Sequence, residues 1–113
     1  MSVTLNDLAG RKCKENASAL GAAHVSTYLG ALPGWAQAGD AIEKTYKFKN
    51  FHQTMKFVNA VADVANAENH HPDLAVSYGQ CGVKFSTHSA KGLTENDFIL
   101  AAKIDQLPVD AKK

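Results

Sequence analysis

From Leu74 to Thr87 the side chains change character at every second position. Leu74, Val76 and Tyr78 are separated by smaller or polar residues, Gly79-Gln80 interrupts, and Cys81, Val83, Phe85 and Thr87 alternate again. A period of two belongs to a strand with one buried face, and two such runs around a glycine predict an antiparallel hairpin. Glycine in the first central position suits a type II′ turn over Gly79-Gln80, because φ is positive there. That turn would set Tyr78 opposite Cys81, Val76 opposite Val83 and Leu74 opposite Phe85. Continued to the open end, the same register places His71 opposite His88, with Cβ atoms roughly 4.5–5.5 Å apart. Leu74, Val76, Val83 and Phe85 then form the apolar face that helices must cover. Asp73, Lys84, Ser86 and His88 lie on the polar face, so the histidines are expected to point away from the core.

The helices are read from period and caps. Asn50 precedes a run from Phe51 to about Ala67 in which His52, Lys56, Asn59, Asp63 and Asn66 form one polar stripe. Phe51, Met55, Val58, Ala62 and Ala65 make one apolar face. Phe57, Val61 and Val64 widen it beyond the arc one sheet covers, which predicts a contact between subunits through those three residues. Thr94, with Asp97 three residues on, has the form of a capping box ahead of Phe98, Ala101, Ala102 and Ile104. Asn16 or Ser18 is expected to cap a first helix that runs to about Leu29, with Gly30 and Pro33-Gly34 as its stop. Between Trp35 and Lys49 two short strands meet at Gly39-Asp40. The order α-β-β-α-β-β-α describes an α+β fold, a four-stranded antiparallel sheet with three helices on one face. At 113 residues one domain is expected over 1–113, with loosely held ends at about 1–12 and 107–113.

Charge and cysteine content narrow the function classes. Twelve basic against eleven acidic residues leave a net charge of +1, which provides no electrostatic footprint for direct binding of nucleic acid or an anionic membrane. No apolar run approaches the roughly 18 residues that span a bilayer, and a secretory h-region is not seen in residues 1–14, so a cytoplasmic protein is expected. Cys13 and Cys81 are too far apart for a zinc knuckle and are read as reduced thiols.

Three of the five histidines fall in Asn69-His70-His71-Pro72 and Ser86-Thr87-His88, segments that the hairpin joins. Imidazoles titrate near neutral pH, so a cluster can supply both an acid and a base to one small substrate. Pro72 restricts His71 to extended backbone and so fixes its direction. Two other uses of the cluster stay open: a three-histidine metal site, and plain strand ends. A shared metal would require the backbone to bend near Asn69, because neighbours on a strand point to opposite faces. His24 and His52 fall on solvated helix surfaces. Trp35 is either a core residue or a flat wall for a planar ligand.

Glu68-Asn69-His70-His71-Pro72-Asp73, Tyr78, Ser86-Thr87-His88 and Gly92-Leu93-Thr94-Glu95-Asn96-Asp97, in that order and spacing, resemble the pterin-4a-carbinolamine dehydratases. The likeness runs from Gly34-Trp35 through Tyr46-Lys47-Phe48 to about Ile104. It implies an α+β domain that converts 4a-hydroxytetrahydropterin (4a-hydroxytetrahydrobiopterin) to quinonoid dihydropterin and water. Such an enzyme recycles the pterin used by aromatic amino-acid hydroxylases and needs no metal or other cofactor. On the family pattern His70, His71 and His88 are the active-site histidines, Asn69 and the stretch Ser86, Thr87, His88, Ser89 contact the pterin, and Trp35 is the pocket tryptophan. His70 and His88 are expected as the acid–base pair, with His71 orienting the substrate. Asp97 falls on the family's acidic position, which its capping role also explains. Asn66 stands where many members carry glutamate, and the segment before Gly34 lacks the cysteine- and glycine-rich opening of bacterial members. The resemblance also implies a homodimer or homotetramer. The alternative it carries is a dimerisation or binding module acting as a transcriptional coactivator, without needed catalysis.

Overall fold

The strands β1 (Ala36–Ala38), β2 (Ala41–Lys47), β3 (Asp73–Ser77) and β4 (Gln80–Phe85) form one antiparallel sheet in the order β1-β2-β4-β3. The computed structural model describes residues 4–14, 17–87 and 90–107. Gly39, at φ 61°, turns β1 into β2 with Asp40, as its position between the two strands led us to expect. Ile42, Tyr46, Cys81, Val83 and Phe85 are buried on one face. Glu43, Thr45, Lys47, Gln80 and Lys84 are exposed on the other, so the alternation seen in the chain is the alternation of the pleat.

The β3–β4 hairpin departs from the expected register by two residues. Ser77 pairs with Gln80, Val76 with Cys81 and Leu74 with Val83, so the loop is Tyr78-Gly79 rather than Gly79-Gln80. An even shift keeps each side chain on its predicted face, whereas an odd one would have inverted them all; the helices cover Val83 and Phe85 but leave Val76 41% exposed, so the expected cover does not extend over β3. Continued outward, the observed register sets His71 level with Ser86, not with His88; His88 and Ser89 lie outside the described residues. Gly79 is absent from the positive-φ residues. Its bare Cα serves a close approach instead: Phe48 N–H donates to Gly79 O at 2.7 Å, and a Cβ on Gly79 would sit 3.1 Å from Phe48 O.

Helix α3 (Phe51–Glu68) begins at Asn50, whose side chain accepts from Gln53 N. Its buried positions are Thr54, Phe57, Val61 and Ala65. Phe57 lies between Tyr46 and Phe48, with ring centroids at 4.6 and 5.1 Å. Phe57 and Val61 are therefore core residues, and Val64 is partly buried against the core, which corrects their expected place on an uncovered face. The surplus apolar surface is on the other flank, at Phe51, 48% exposed, with half-buried Met55, while Val58, like Val64, packs on the core. A helix with apolar residues on both sides of a single polar stripe leaves period alone unable to choose between two arcs; the aromatic cluster with β2 makes the choice.

Helix α4 (Glu95–Asp105) is buried on nearly every side, including Phe98, Ile99, Leu100, Ala101, Ala102 and Ile104. The N-terminal part of the chain explains why. Residues expected to be loosely held contain a fourth helix, α1 (Leu5–Ala9), closed by a Thr4/Asp7 capping box and anchored by the fully buried Leu8. It packs on α4, and Lys103 Nζ donates to Ala9 O at 2.7 Å. Helix α2 (Ala22–Gly30) starts after Gly21, later than Ser18, and Asn16 lies outside the described residues. Leu20 N–H is engaged instead by Leu93 O, which holds the approach to α2 extended, and Tyr28 meets Phe98 edge-on at 5.4 Å. No helix among the described residues is long and apolar enough to cross a membrane.

Candidate active site

The site is built where α3 ends. Asn69 takes the left-handed conformation, φ 53° and ψ 40°, a region asparagine tolerates better than most side chains, and its N–H is held by Ala65 O and Asn66 O. The chain reverses there. His70 N–H donates to Ala65 O at 3.1 Å, and the imidazole turns inward to stack on Phe85, with centroids 6.0 Å apart and planes 10° from parallel. The side chain is 13% exposed, so His70 points towards the core, on the face opposite to the one expected for its neighbour His71.

Facing it is the first turn of α4. Asp97 is fully buried, a costly place for a carboxylate unless donors surround it. They do. Thr94 N–H reaches Oδ2 at 2.9 Å, Thr87 Oγ1 donates to Oδ2 at 2.8 Å, and His70 Nε2 lies 2.7 Å from Oδ1. Thr94 Oγ1 is 2.9 Å from Thr87 Oγ1 and, with the Thr87 proton given to Asp97, is the donor to it. The helix N-terminus adds its own favourable field for a negative charge. Every group around Asp97 is a donor, so Asp97 accepts as a carboxylate and His70 carries its proton on Nε2. In the neutral ring Nδ1 is then a lone-pair base, and the only side-chain hydrogen bond given to His70 among the described residues is the one from Nε2.

His71 goes the other way: it is exposed, and Nε2 lies 3.0 Å from Asn66 Oδ1. The two adjacent imidazoles are thus tied to different partners, and no group of three His, Cys, Asp or Glu suited to a metal ion occurs among the described residues. Asn69 is exposed at the turn itself. Ser86 and Thr87 line a groove of about 440 Å³ together with Asp73, Lys84 and Lys91, within the roughly 300–1,000 Å³ usual for small-molecule pockets. Neither His70 nor His71 is among its described lining residues; Thr87 is the residue that joins the groove to the Asp97 network. Trp35 is a core residue, 6% exposed, so the planar-wall reading does not hold for it. Its indole N–H donates to Asp105 Oδ2 at 3.1 Å, beside Lys44 Nζ and the Tyr46 hydroxyl on Oδ1, and its ring packs 6.1 Å from Phe85.

Two contributions were not anticipated: Asp97 as the partner of His70, and Phe85 as the platform beneath it. A sequence signal existed for the first. A capping-box acid gives one oxygen to its helix, and once buried its other oxygen must find a donor elsewhere.

A family model described as "Pterin 4 alpha carbinolamine dehydratase" matches residues 18–107. A protein of Nitrosospira multiformis, named "Putative pterin-4-alpha-carbinolamine dehydratase", is 46% identical over 110 residues, covering 95% of this chain and 97% of its own. One of the same name from Nitrosomonas eutropha is 50% identical over 105 residues, covering 89% and 93%. Among solved structures, a transcriptional coactivator/pterin dehydratase from Brucella melitensis superposes with a TM-score of 0.75 at 32% identity, over 78% of this chain and 96% of that one.

Proposed function

Because the chain belongs to the pterin-4a-carbinolamine dehydratase family, we propose that it expels water from a 4a-hydroxytetrahydropterin to give the quinonoid dihydropterin. The observation that carries this reading beyond the family is the His70–Asp97 pair, in which Asp97 engages Nε2 and leaves Nδ1 as the ring nitrogen that can serve as a base. In the reaction the C4a–O bond breaks, the hydroxyl leaves as water with a proton from an acid, and N5 gives up its proton as C4a=N5 forms. No electrons are gained or lost. His70 Nδ1 takes the N5 proton, and the buried carboxylate stabilises the imidazolium that results, a division of labour shared with other His–Asp pairs. His88 protonates the departing hydroxyl and His71 orients the ring; the role of His88 rests on the family motif.

The pterin lies against the groove at Ser86 and Thr87, with Asn69 and Ser89 hydrogen-bonding its polar edge. Trp35 acts from below, by packing on Phe85, rather than by touching substrate. The reaction takes place in the cytoplasm and recycles the pterin of an aromatic amino-acid hydroxylase. Copies associate as a dimer or tetramer, using the flank of α3 that carries Phe51. A second reading is favoured by that same exposed flank and by the coactivator/dehydratase name of the Brucella relative: a binding module in which catalysis is dispensable.

Stopped-flow ultraviolet detection of 4a-hydroxytetrahydropterin loss separates the two. Acceleration proportional to protein, lowered about tenfold to a thousandfold in His71→Ala and in His88→Ala without loss of fold, supports the dehydratase. A folded protein that leaves the spontaneous rate unchanged overturns it in favour of the binding module.

A further inference from the structure

The family model begins at residue 18, yet a segment ahead of it grips both helix ends that carry the His70–Asp97 pair. Cys13 N–H donates to Glu68 Oε1 at 2.8 Å; Glu68 is the last residue of α3, two before His70. Lys14 N–H donates to Asn96 Oδ1 at 3.0 Å, and Asn96 Nδ2 donates back to Lys14 O at 2.8 Å, immediately before Asp97. Arg11 forms an ion pair with Glu95, one residue before Asn96 in the same turn, and its guanidinium sits 6.0 Å from the Tyr28 ring centroid.

We propose that Arg11–Lys14 is a positioning strap: by bridging the C-terminus of α3 and the N-terminus of α4, it sets the separation at which His70 Nε2 meets Asp97. The proposal rests on the reading of that pair as the reaction's base. His70 hangs from a left-handed residue at a frayable helix end, and Asp97 from the first turn of another helix, so their hydrogen bond is only as exact as the spacing of those two ends. Asn96 is the clearest sign of the strap. It is nearly fully buried, and both halves of its carboxamide are spent on the backbone of Lys14, so without the strap two polar groups would lie buried and unpaired. Glu68 is likewise shared between Cys13 N–H and Lys103, which itself holds Ala9 O.

The test uses the full chain with Glu68→Ala, Glu68→Gln and Asn96→Ala. The readout is the low-field proton NMR signal of the His70 Nε2–H and its exchange with solvent, which needs no substrate. Glu68→Ala and Asn96→Ala are expected to speed that exchange about tenfold or more. Turnover should fall about tenfold to hundredfold at nearly constant KM, as a misplaced catalytic group would cause. Glu68→Gln keeps the oxygen that accepts from Cys13 and should restore both. Folded variants whose signal exchanges as in the wild type, or a Gln variant that behaves as Ala, overturn the strap. If Asn96→Ala fails to fold, the Glu68 pair decides alone. A wild type without dehydratase activity refutes the functional reading, while the exchange measurement still decides the strap.

Discussion

His70 Nε2 and Asp97 Oδ1 lie 2.7 Å apart although 27 positions separate them in the chain. One follows the left-handed end of a long helix and the other sits in the first turn of the last helix, with the hairpin between. The pair gives the imidazole a defined tautomer, and each prediction concerning catalysis follows from it.

Asp97→Asn is expected to lower the dehydration rate by about 10²–10⁴-fold, because an amide can present a donor to His70 and favour the wrong tautomer. The same change leaves a buried donor facing donors, at a cost of about 1–3 kcal/mol in stability. Stopped-flow turnover and urea unfolding on one preparation check both numbers. A rate within twofold of the wild type would remove Asp97 from the mechanism.

The two phenylalanines of α3 should behave oppositely. Phe57 is fully buried against Tyr46 and Phe48, so Phe57→Ala should cost about 3–5 kcal/mol by urea unfolding. Phe51 is half exposed, so Phe51→Glu should leave the unfolding free energy of the monomer within about 0.5 kcal/mol while lowering the native mass by light scattering. An unchanged mass would show that this flank of α3 does not join copies of the chain.

Burial, aided by the charge of Glu68, pushes the Cys13 thiol up to about 12, and burial also raises Cys81. Both should resist iodoacetamide at pH 7–8 in the folded protein and react on unfolding, as mass spectrometry would show. Since the unfolded chain releases the Cys13 proton near 9 and the folded one near 12, stability is fully present below pH 9 and falls as pH rises towards 12. Rapid alkylation of native protein at neutral pH would contradict the packing around Cys13.

Proton transfer by imidazole requires no Lewis acid, so dehydration should survive exhaustive dialysis against a chelator. Activity lost on dialysis and restored by zinc or iron would move the chemistry to a metal.

Local rules reached far into this fold because its signals are short-range. The turn at Gly39-Asp40, the Asn50 cap, the Thr94/Asp97 box and the period-two faces of Leu74–Thr87 all depend on neighbours within a few residues. The turn, the cap and the box are present in the structure, and the alternation holds in burial along β4, whereas on β3 Leu74 is half-buried and Val76 exposed. Where a residue's role depended on a distant surface, the chain alone was silent or misleading. Gly79 reads as the first residue of a turn that needs positive φ, but it is the second residue of the loop without positive φ, and a side chain there would crowd Phe48 O at 3.1 Å. Phe51 and Phe57 lie on two apolar arcs of α3 between which period does not choose, and the contacts with Tyr46 and Phe48 show that the arc of Phe57 is the buried one. Nothing in the local pattern names a partner for His70; the left-handed Asn69 turns it onto Phe85 and Asp97. The sequence by itself determined the four strands, helices α2, α3 and α4 and which residues are able to exchange protons, because caps, turns and periodicity are local; α1, read as a loose end, is held by Leu8 in the core. Tertiary structure alone decided which imidazole receives a buried carboxylate, because that depends on two helix ends meeting in space.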